Sequence, residues 1–346
     1  MNTQIAKITN VCAQSREIEN AASIIKNGGI VVIPTETVYG IGGDATNPGS
    51  SNKIYAAKGR PSDNPLIIHI AHAEDAEHYA YTNPLYYKLA SAFMPGPLTV
   101  ILKKKDIVPY ETTGGLDTVA VRCPSHPVAH AIIKSAGVAI AAPSANISGR
   151  PSATSVQYVI DDFYGKVDMI VDGGECEIGL ESTIVLINDD NSSIILLRPG
   201  AITYDALCCV CEKVEISPTI EGTLKENEHP ISPGMKYKHY APIAPLVLVD
   251  GNHDDVVSFF KKEQSRKKCA ILCYDEEVKL LNSSFLLPIG AREDIQSHAK
   301  VLFGRLRECD ELKPEIIYAH LPSKDGLGFA LYNRMIRAAA HTVISV

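Results

Sequence analysis

No stretch of about 18 or more apolar residues occurs in this 346-residue chain, so nothing in it reads as a membrane-crossing helix. The opening Met1-Asn2-Thr3-Gln4 lacks a basic segment followed by an apolar one, which argues against secretion and for a cytoplasmic protein. Internal repeats and low-complexity tracts are missing too. No Gly-x4-Gly-Lys-Ser/Thr is found, so any nucleotide is held by an architecture other than a Walker loop. Metal motifs are equally scarce. His126-Pro-Val-Ala-His130 has helical i, i+4 spacing but no inner Glu, and Cys208-Cys209-Val210-Cys211 has no second ligand cluster. No metal site is expected from protein side chains. Gly326-Leu327-Gly328 stops short of the third Gly of a dinucleotide fingerprint. The nine cysteines are odd in number and irregularly spaced, several within apolar runs such as Cys269 to Cys273, which reads as reduced, buried thiols.

Positive charge is also in short supply. The net charge is −7, and residues 1 to 212 hold 15 Lys and Arg against 22 Asp and Glu; residues 213 to 245 balance at 4 and 4, and residues 246 to 346 at 14 and 14. Stable binding to a nucleic-acid backbone needs many phosphates neutralised, and this excess of acid opposes it.

What the chain has is a series of polar segments rich in Gly and Pro, each beside a short apolar run. Pro34-Thr35-Glu36-Thr37-Val38-Tyr39-Gly40 follows Ile30 to Ile33. Lys58-Gly59-Arg60-Pro61 precedes Leu66 to Ile70, and Ala142-Pro143-Ser144-Ala145-Asn146 follows Val138 to Ala141. Polar groups at strand ends commonly converge on one crevice of an α/β domain. Lys58 offers a point charge, Arg60 a planar fork, and Ser144 and Asn146 neutral hydrogen bonds, a set suited to a phosphate-bearing ligand. Each has a plainer reading when taken alone. Thr37 fits a turn or cap, Ser144 and Asn146 an Asx-type turn, and His69, inside an apolar strand, a satisfied core histidine.

Strand-like and helix-like runs alternate up to about residue 212, ending in two strands, Ser182 to Ile187 and Ile194 to Leu197, that suggest an antiparallel hairpin around Asn188 to Ser193. Residues 213 to 245 lack periodicity and carry five prolines, so they read as a linker. From Leu246 a second alternation begins, which predicts a small three-layer parallel α/β domain over 246–346. The fold class is α/β throughout.

Six segments in order, Pro34 to Gly40, Lys58 to Pro61, Met94-Pro-Gly-Pro-Leu-Thr-Val100, Val121-Arg122-Cys-Pro124, Ala142 to Gly149 and Glu181-Ser182-Thr183, together resemble the YrdC family of threonylcarbamoyl-AMP synthases. Ser232-Pro-Gly-Met-Lys-Tyr-Lys-His-Tyr240 and Gly326-Leu-Gly-Phe-Ala-Leu-Tyr-Asn333-Arg334 resemble the linker and extra C-terminal domain of its long members. The resemblance implies a twisted mixed sheet flanked by helices over 1–212, a linker able to act as a lid over 213–245, and a Rossmann-like domain after it. It also implies an enzyme that joins L-threonine, bicarbonate or CO2, and ATP into threonylcarbamoyl-AMP and pyrophosphate, with Mg2+ on the phosphates. The product would pass to the tRNA threonylcarbamoyl transferase machinery. By position, the resemblance assigns Thr37, His69, Arg122, Ala142 and Ser182 to threonine. It assigns Lys58, Arg60, Asn64, Thr118, Ser144, Asn146, Ser152, Arg198 and Tyr240 to ATP, with Lys58, Arg60, Ser144 and Asn146 closest to the chemistry. Two rivals stand beside it: a carbamoyl-transfer enzyme with the same crevice, which would need zinc-finger Cys pairs, and a non-catalytic RNA-binding regulator, which would need a basic stripe.

Overall fold

The computed structural model describes residues 2–220, 222, 232, 240–281 and 285–346. They form two compact units. The first spans residues 1–236 apart from Gly149–Pro151 and Ile178–Leu180, which group with residues 237–346 in the second.

The first unit is built on one mixed sheet of eleven strands: β1 (Gln4–Lys7), β2 (Val31–Ile33), β3 (Gly40–Asp44), β4 (Ile67–His69), β5 (Leu98–Lys103), β6 (Thr118–Arg122), β7 (Ile140–Ala141), β8 (Met169–Asp172), β9 (Thr183–Ile187), β10 (Ile194–Arg198) and β11 (Val214–Ile216). Their order is β1-β8-β2-β3-β7-β4-β6-β5-β9-β10-β11. Central strands are apolar and buried on both faces, as continuous runs such as Leu98 to Leu102 require. The expected hairpin is present: β9 and β10 pair antiparallel, with Ile194 opposite Ile187. On one face, helices Ser15–Lys26 and Pro127–Ala136 bury Ile18, Ala21, Ala22 and Ile25 with Val128, Ala129, Ile132 and Ile133 in a shared core. Each helical stripe recurs at three- and four-residue intervals, so one face of each helix leaves water.

Two features position the polar segments. Strand β3 is Gly-rich because it lies against its neighbours without room for side chains; a Cβ on Gly42 would stand 2.6 Å from Cγ2 of Ile140. Helix Pro48–Lys58 starts with Asn47 capping Gly49 N–H and Pro48 in the first turn, and stops at Gly59, whose left-handed φ of 61° an L side chain rarely adopts. That stop fixes Lys58 as the last helical residue.

Four elements depart from the sequence reading. β1 and helix Ser15–Lys26 precede the first expected strand, and β3 starts at Gly40, the last residue of a segment read as polar, and runs through residues 41–44, which that reading assigns to no element. Residues 214–216, inside the stretch read as linker, extend the sheet, with Ile194 of β10 opposite Val214 of β11. Regular alternation does not mark a three-residue edge strand, because backbone pairing alone holds it.

The second unit holds five parallel strands, β12 (Leu246–Asp250), β13 (Cys269–Cys273), β14 (Leu286–Pro288), β15 (Ile316–His320) and β16 (Val343–Ser345), ordered β14-β13-β15-β12-β16. Helices His253–Gln264, Ile295–Leu312 and Leu327–Ala338 connect them. Val247, Val249, Phe260, Ile271 and Tyr318 form its core. This is the small parallel domain that the second alternation predicts.

Candidate functional site

The middle of the large sheet carries a row of polar residues where apolar ones would be expected. β4 and β6 run parallel with His69 opposite Arg122, and β5 runs antiparallel to β6 with Thr99 opposite Arg122, so the three side chains share one face. His69, Arg122 and Thr99 are 3%, 4% and 0% exposed. A buried guanidinium must be compensated. Here Arg122 Nη2 donates to Glu36 Oε1 at 2.6 Å, and Glu36 is supplied by the Pro34 to Gly40 segment. Burial pushes the Glu36 carboxyl up, but the charge and hydrogen bond of Arg122 outweigh that and hold it below the usual carboxylate range.

The pair is only half satisfied. Glu36 Oε2 and Arg122 Nε are buried with no hydrogen-bond partner. Native buried polar groups are nearly always paired, so an orphan prong on a buried guanidinium marks a place for an incoming acceptor. Beside it, burial and then the charge of Arg122 press the His69 pKa down to about 3, so the ring is neutral at physiological pH. The unfolded chain takes up that proton near 6.5 and the folded one does not, so His69 stabilises the fold fully above about pH 6.5 and progressively less below it. From pH 7 to pH 5 the loss should be about 2 kcal/mol for this group. Urea unfolding of the wild type and of His69→Gln at both pH values checks this: the wild type should lose more by about that amount, and equal losses would remove His69 as the cause.

Hydroxyls complete the row. Thr99 Oγ1 and Ser182 Oγ lie 2.8 Å apart, and Arg198 donates through Nη2 to Ser182 Oγ at 3.1 Å and through Nε to the Ser182 carbonyl at 3.0 Å. Arg198 ends β10 at an irregularity in its pairing with β9, which re-aims its side chain. Thr37 is fully buried, its Oγ1 2.9 Å from Thr35 Oγ1. Ala142 is buried and donates its N–H to the Ile67 carbonyl at 2.9 Å. A Cβ on Gly40 would stand 3.3 Å from the Ala142 methyl.

The second set gathers around Lys58. Its Nζ donates to the carbonyls of Ser144 and Asn146, both at 2.5 Å, and Ser144 Oγ donates to Asn146 Oδ1 at 2.6 Å. The Gly and Pro that follow Lys58 read as a loop, yet Lys58 is 1% exposed, because it closes helix Pro48–Lys58 and its ammonium braces the Ser144 to Asn146 turn. Arg60, half-buried, donates to the carbonyls of Asn64 at 3.2 Å and Pro65 at 3.1 Å, and Asn64 Oδ1 is buried without a partner. Ser152 Oγ donates to Glu181 Oε1 at 2.6 Å.

The candidates therefore divide along the strands. His69 and Arg122 stand at the carboxyl ends of β4 and β6, whereas Thr118 opens β6 and Asn64 precedes β4, at the opposite end. β7 runs antiparallel to β4, so the Ala142 to Asn146 segment leaves the sheet at the Asn64 end. The candidates therefore do not all stand at one set of strand ends. The proposed lid falls mainly on residues 223–231 and 233–239, including Lys236, Lys238 and His239, outside the described residues. Tyr240 belongs to the second unit, buried at a left-handed φ of 63° with its ring 5.2 Å from that of Phe303.

Glu36 and Thr99 were given no role by sequence reasoning. Glu36 lies in a segment already singled out, and a carboxylate among hydroxyls there is a signal; Thr99, inside a strand-like run, gives none. Among the described residues no group of three or more His, Cys, Asp or Glu could hold a metal ion. All nine cysteines are free thiols.

Two family profiles together match most of the chain. A family profile for Sua5, YciO and YrdC proteins, described as telomere recombination, matches residues 23–200, and one described as the threonylcarbamoyl-AMP synthase C-terminal domain matches residues 202–340. A Bacillus subtilis threonylcarbamoyl-AMP synthase is 41% identical over 95% of this chain and 94% of its own. A Pyrococcus abyssi threonylcarbamoyl-AMP synthase is 41% identical over 95% of this chain and 96% of its own. The crystal structure of P. abyssi Sua5 complexed with L-threonine superposes with a TM-score of 0.91 at 38% identity, covering 100% of both chains. Matched across both units, the chain belongs to the Sua5/YciO/YrdC family, in the form that carries the additional threonylcarbamoyl-AMP synthase C-terminal domain.

Proposed function

We propose that this protein is an L-threonylcarbamoyladenylate synthase, a nucleotidyltransferase that condenses L-threonine, bicarbonate or CO2, and ATP to threonylcarbamoyl-AMP and pyrophosphate. The observation that carries the reading is the half-satisfied Glu36–Arg122 pair, a buried cation whose Nε donor is unused, in the matched domain. The threonine amine captures CO2, giving an N-carboxylate that attacks the α-phosphorus, and pyrophosphate leaves. Since the substrate is its own nucleophile, the chain needs no Ser-His-Asp set; it must position two ligands and offset phosphate charge. In this reading Arg122 takes the threonine carboxylate, and Thr37, His69, Ala142 and Ser182 surround the rest. Lys58, Arg60, Asn64, Thr118, Ser144, Asn146, Ser152, Arg198 and Tyr240 serve ATP.

In this reading the Mg2+ expected with ATP would be carried by phosphate oxygens; among the described residues no group of three or more His, Cys, Asp or Glu could hold a metal ion. In this reading the enzyme works in the cytoplasm, beside ATP, threonine and the tRNA-modifying machinery that would consume the product; no described helix is long and apolar enough to cross a membrane. A carbamoyl-transfer reading expects acylphosphatase-like and zinc-finger segments, and the sequence has no such Cys pairs; an RNA-binding regulator expects a basic stripe, and the net charge of −7 speaks against it.

Pyrophosphate release from ATP should require both threonine and bicarbonate, and release independent of threonine would refute the proposal. Valine tests the hydroxyls. A site built to bond a side-chain hydroxyl leaves its own polar groups unpaired when that hydroxyl is absent, so kcat/KM for valine should fall by at least about tenfold. Equal turnover of the two amino acids would show that Thr37 and Ser182 do not read the side chain.

A further inference from the structure

The second unit contains a cavity of its own at the place where parallel sheets bind ligands. The connection leaving β13 runs to β14 on one side, and the connection leaving β15 runs to β16 on the other. Strands that send their connections in opposite directions leave a crevice between their carboxyl ends. Tyr274, directly after β13, and His320, Pro322 and Ser323, at and after the end of β15, line a cavity of about 170 Å³ there. That is below the roughly 300–1,000 Å³ of drug-sized pockets and favours a ligand smaller than a whole nucleotide.

The floor is rigid. Tyr274 is stacked between His298, at 5.1 Å, and His320, at 4.5 Å. Glu277, fully buried, accepts from His320 Nε2 at 2.7 Å and lies 3.0 Å from His253 Nε2, which brings the ends of β12, β13 and β15 together. Ile289, Leu331 and Met335 supply apolar wall, and the charged lining groups are Arg292 and Glu293, one of each sign, both exposed.

From this lining we infer that the cavity binds a free apolar α-amino acid, its side chain against Ile289, Leu331 and Met335, its carboxylate facing Arg292 and its ammonium facing Glu293. The charges decide between ligand classes. A phosphate-like anion would meet Glu293 and, close by, the carboxylates of Asp275, Glu276 and Asp294 that act on His298. A neutral nucleobase would leave both rim charges unused. A zwitterion uses each of them and keeps net charge unchanged.

Isothermal titration of the full-length protein with L-leucine, L-isoleucine and L-methionine tests this. At least one should bind saturably. Binding should weaken about tenfold or more in Arg292→Ala and in Glu293→Ala, as expected when one charged hydrogen bond is lost. Both residues are exposed, so both variants should fold. Isocaproate, which lacks the ammonium, and isoamylamine, which lacks the carboxylate, should each bind as poorly. Binding should survive Arg122→Lys, which lies in the first unit. Absence of binding by all three amino acids, indifference to Arg292→Ala, or preferential binding of adenine or inorganic phosphate would each overturn the inference.

Discussion

Lys58→Ala is expected to lower kcat/KM for threonine-dependent pyrophosphate release by about 10²–10³-fold, the loss seen when one donor aimed at developing charge is removed. The structure adds a second consequence. Lys58 Nζ braces the carbonyls of Ser144 and Asn146, and the side chain is buried, so alanine removes a charged donor from both, while the Asn146 N–H still reaches the Ser144 carbonyl at 3.1 Å. The variant should therefore also unfold about 1–3 kcal/mol more easily. Lys58→Met keeps the packing of the apolar stem but removes the same donor as alanine, so its activity is read on protein shown to be folded by circular dichroism. It should stay folded at low temperature and remain inactive. Arg60→Ala, from a half-buried position with two backbone acceptors, should lose comparable activity with a smaller stability change. Normal turnover by Lys58→Met would remove Lys58 from the chemistry.

How much of this was legible differs residue by residue. The strands that frame the site were readable because Leu98 to Leu102 and Thr118 to Arg122 are unbroken apolar or β-branched runs. β3 was not: Gly40-Ile-Gly-Gly-Asp44 has the composition of a turn, and only the nearness of Ile140 and Ser50 explains glycine in a strand. Helix Ser15–Lys26 has a helical stripe, but two of its four buried members are alanines, which weaken the pattern. His69, Arg122 and Ser182 could be chosen from ordered motifs, but their shared row follows from register, and register is a property of pairing between distant segments. The same is true of Glu36. A sequence shows that a carboxylate and an arginine exist 86 positions apart; it does not show that they meet and leave half their hydrogen bonds unmade. Lys58 was misplaced for a related reason, since the Gly59 that suggests a loop is the residue that ends the helix.

Arg122 carries the other large expected effect. Arg122→Lys keeps the charge opposite Glu36 but loses the planar fork, and at a bidentate site that exchange is not conservative. Threonine kcat/KM should fall by about 10²-fold or more, while the fold survives. Arg122→Ala should be worse in both respects: Glu36 would remain as a buried charge without its partner, which costs about 3–5 kcal/mol. The Glu36 carboxyl is held below its ordinary range, so the pair contributes stability above the unfolded-state value and loses it as the pH falls through the folded one. The stability deficit of Arg122→Ala should therefore narrow in acid. The double variant Glu36→Gln/Arg122→Met removes both charges at similar volume and should recover much of the stability without recovering the reaction. Urea unfolding at pH 7 and pH 4, together with threonine titrations of pyrophosphate release, reads all of these. If the double variant turns threonine over normally, the buried pair is only a structural brace and Arg122 does not hold the substrate carboxylate.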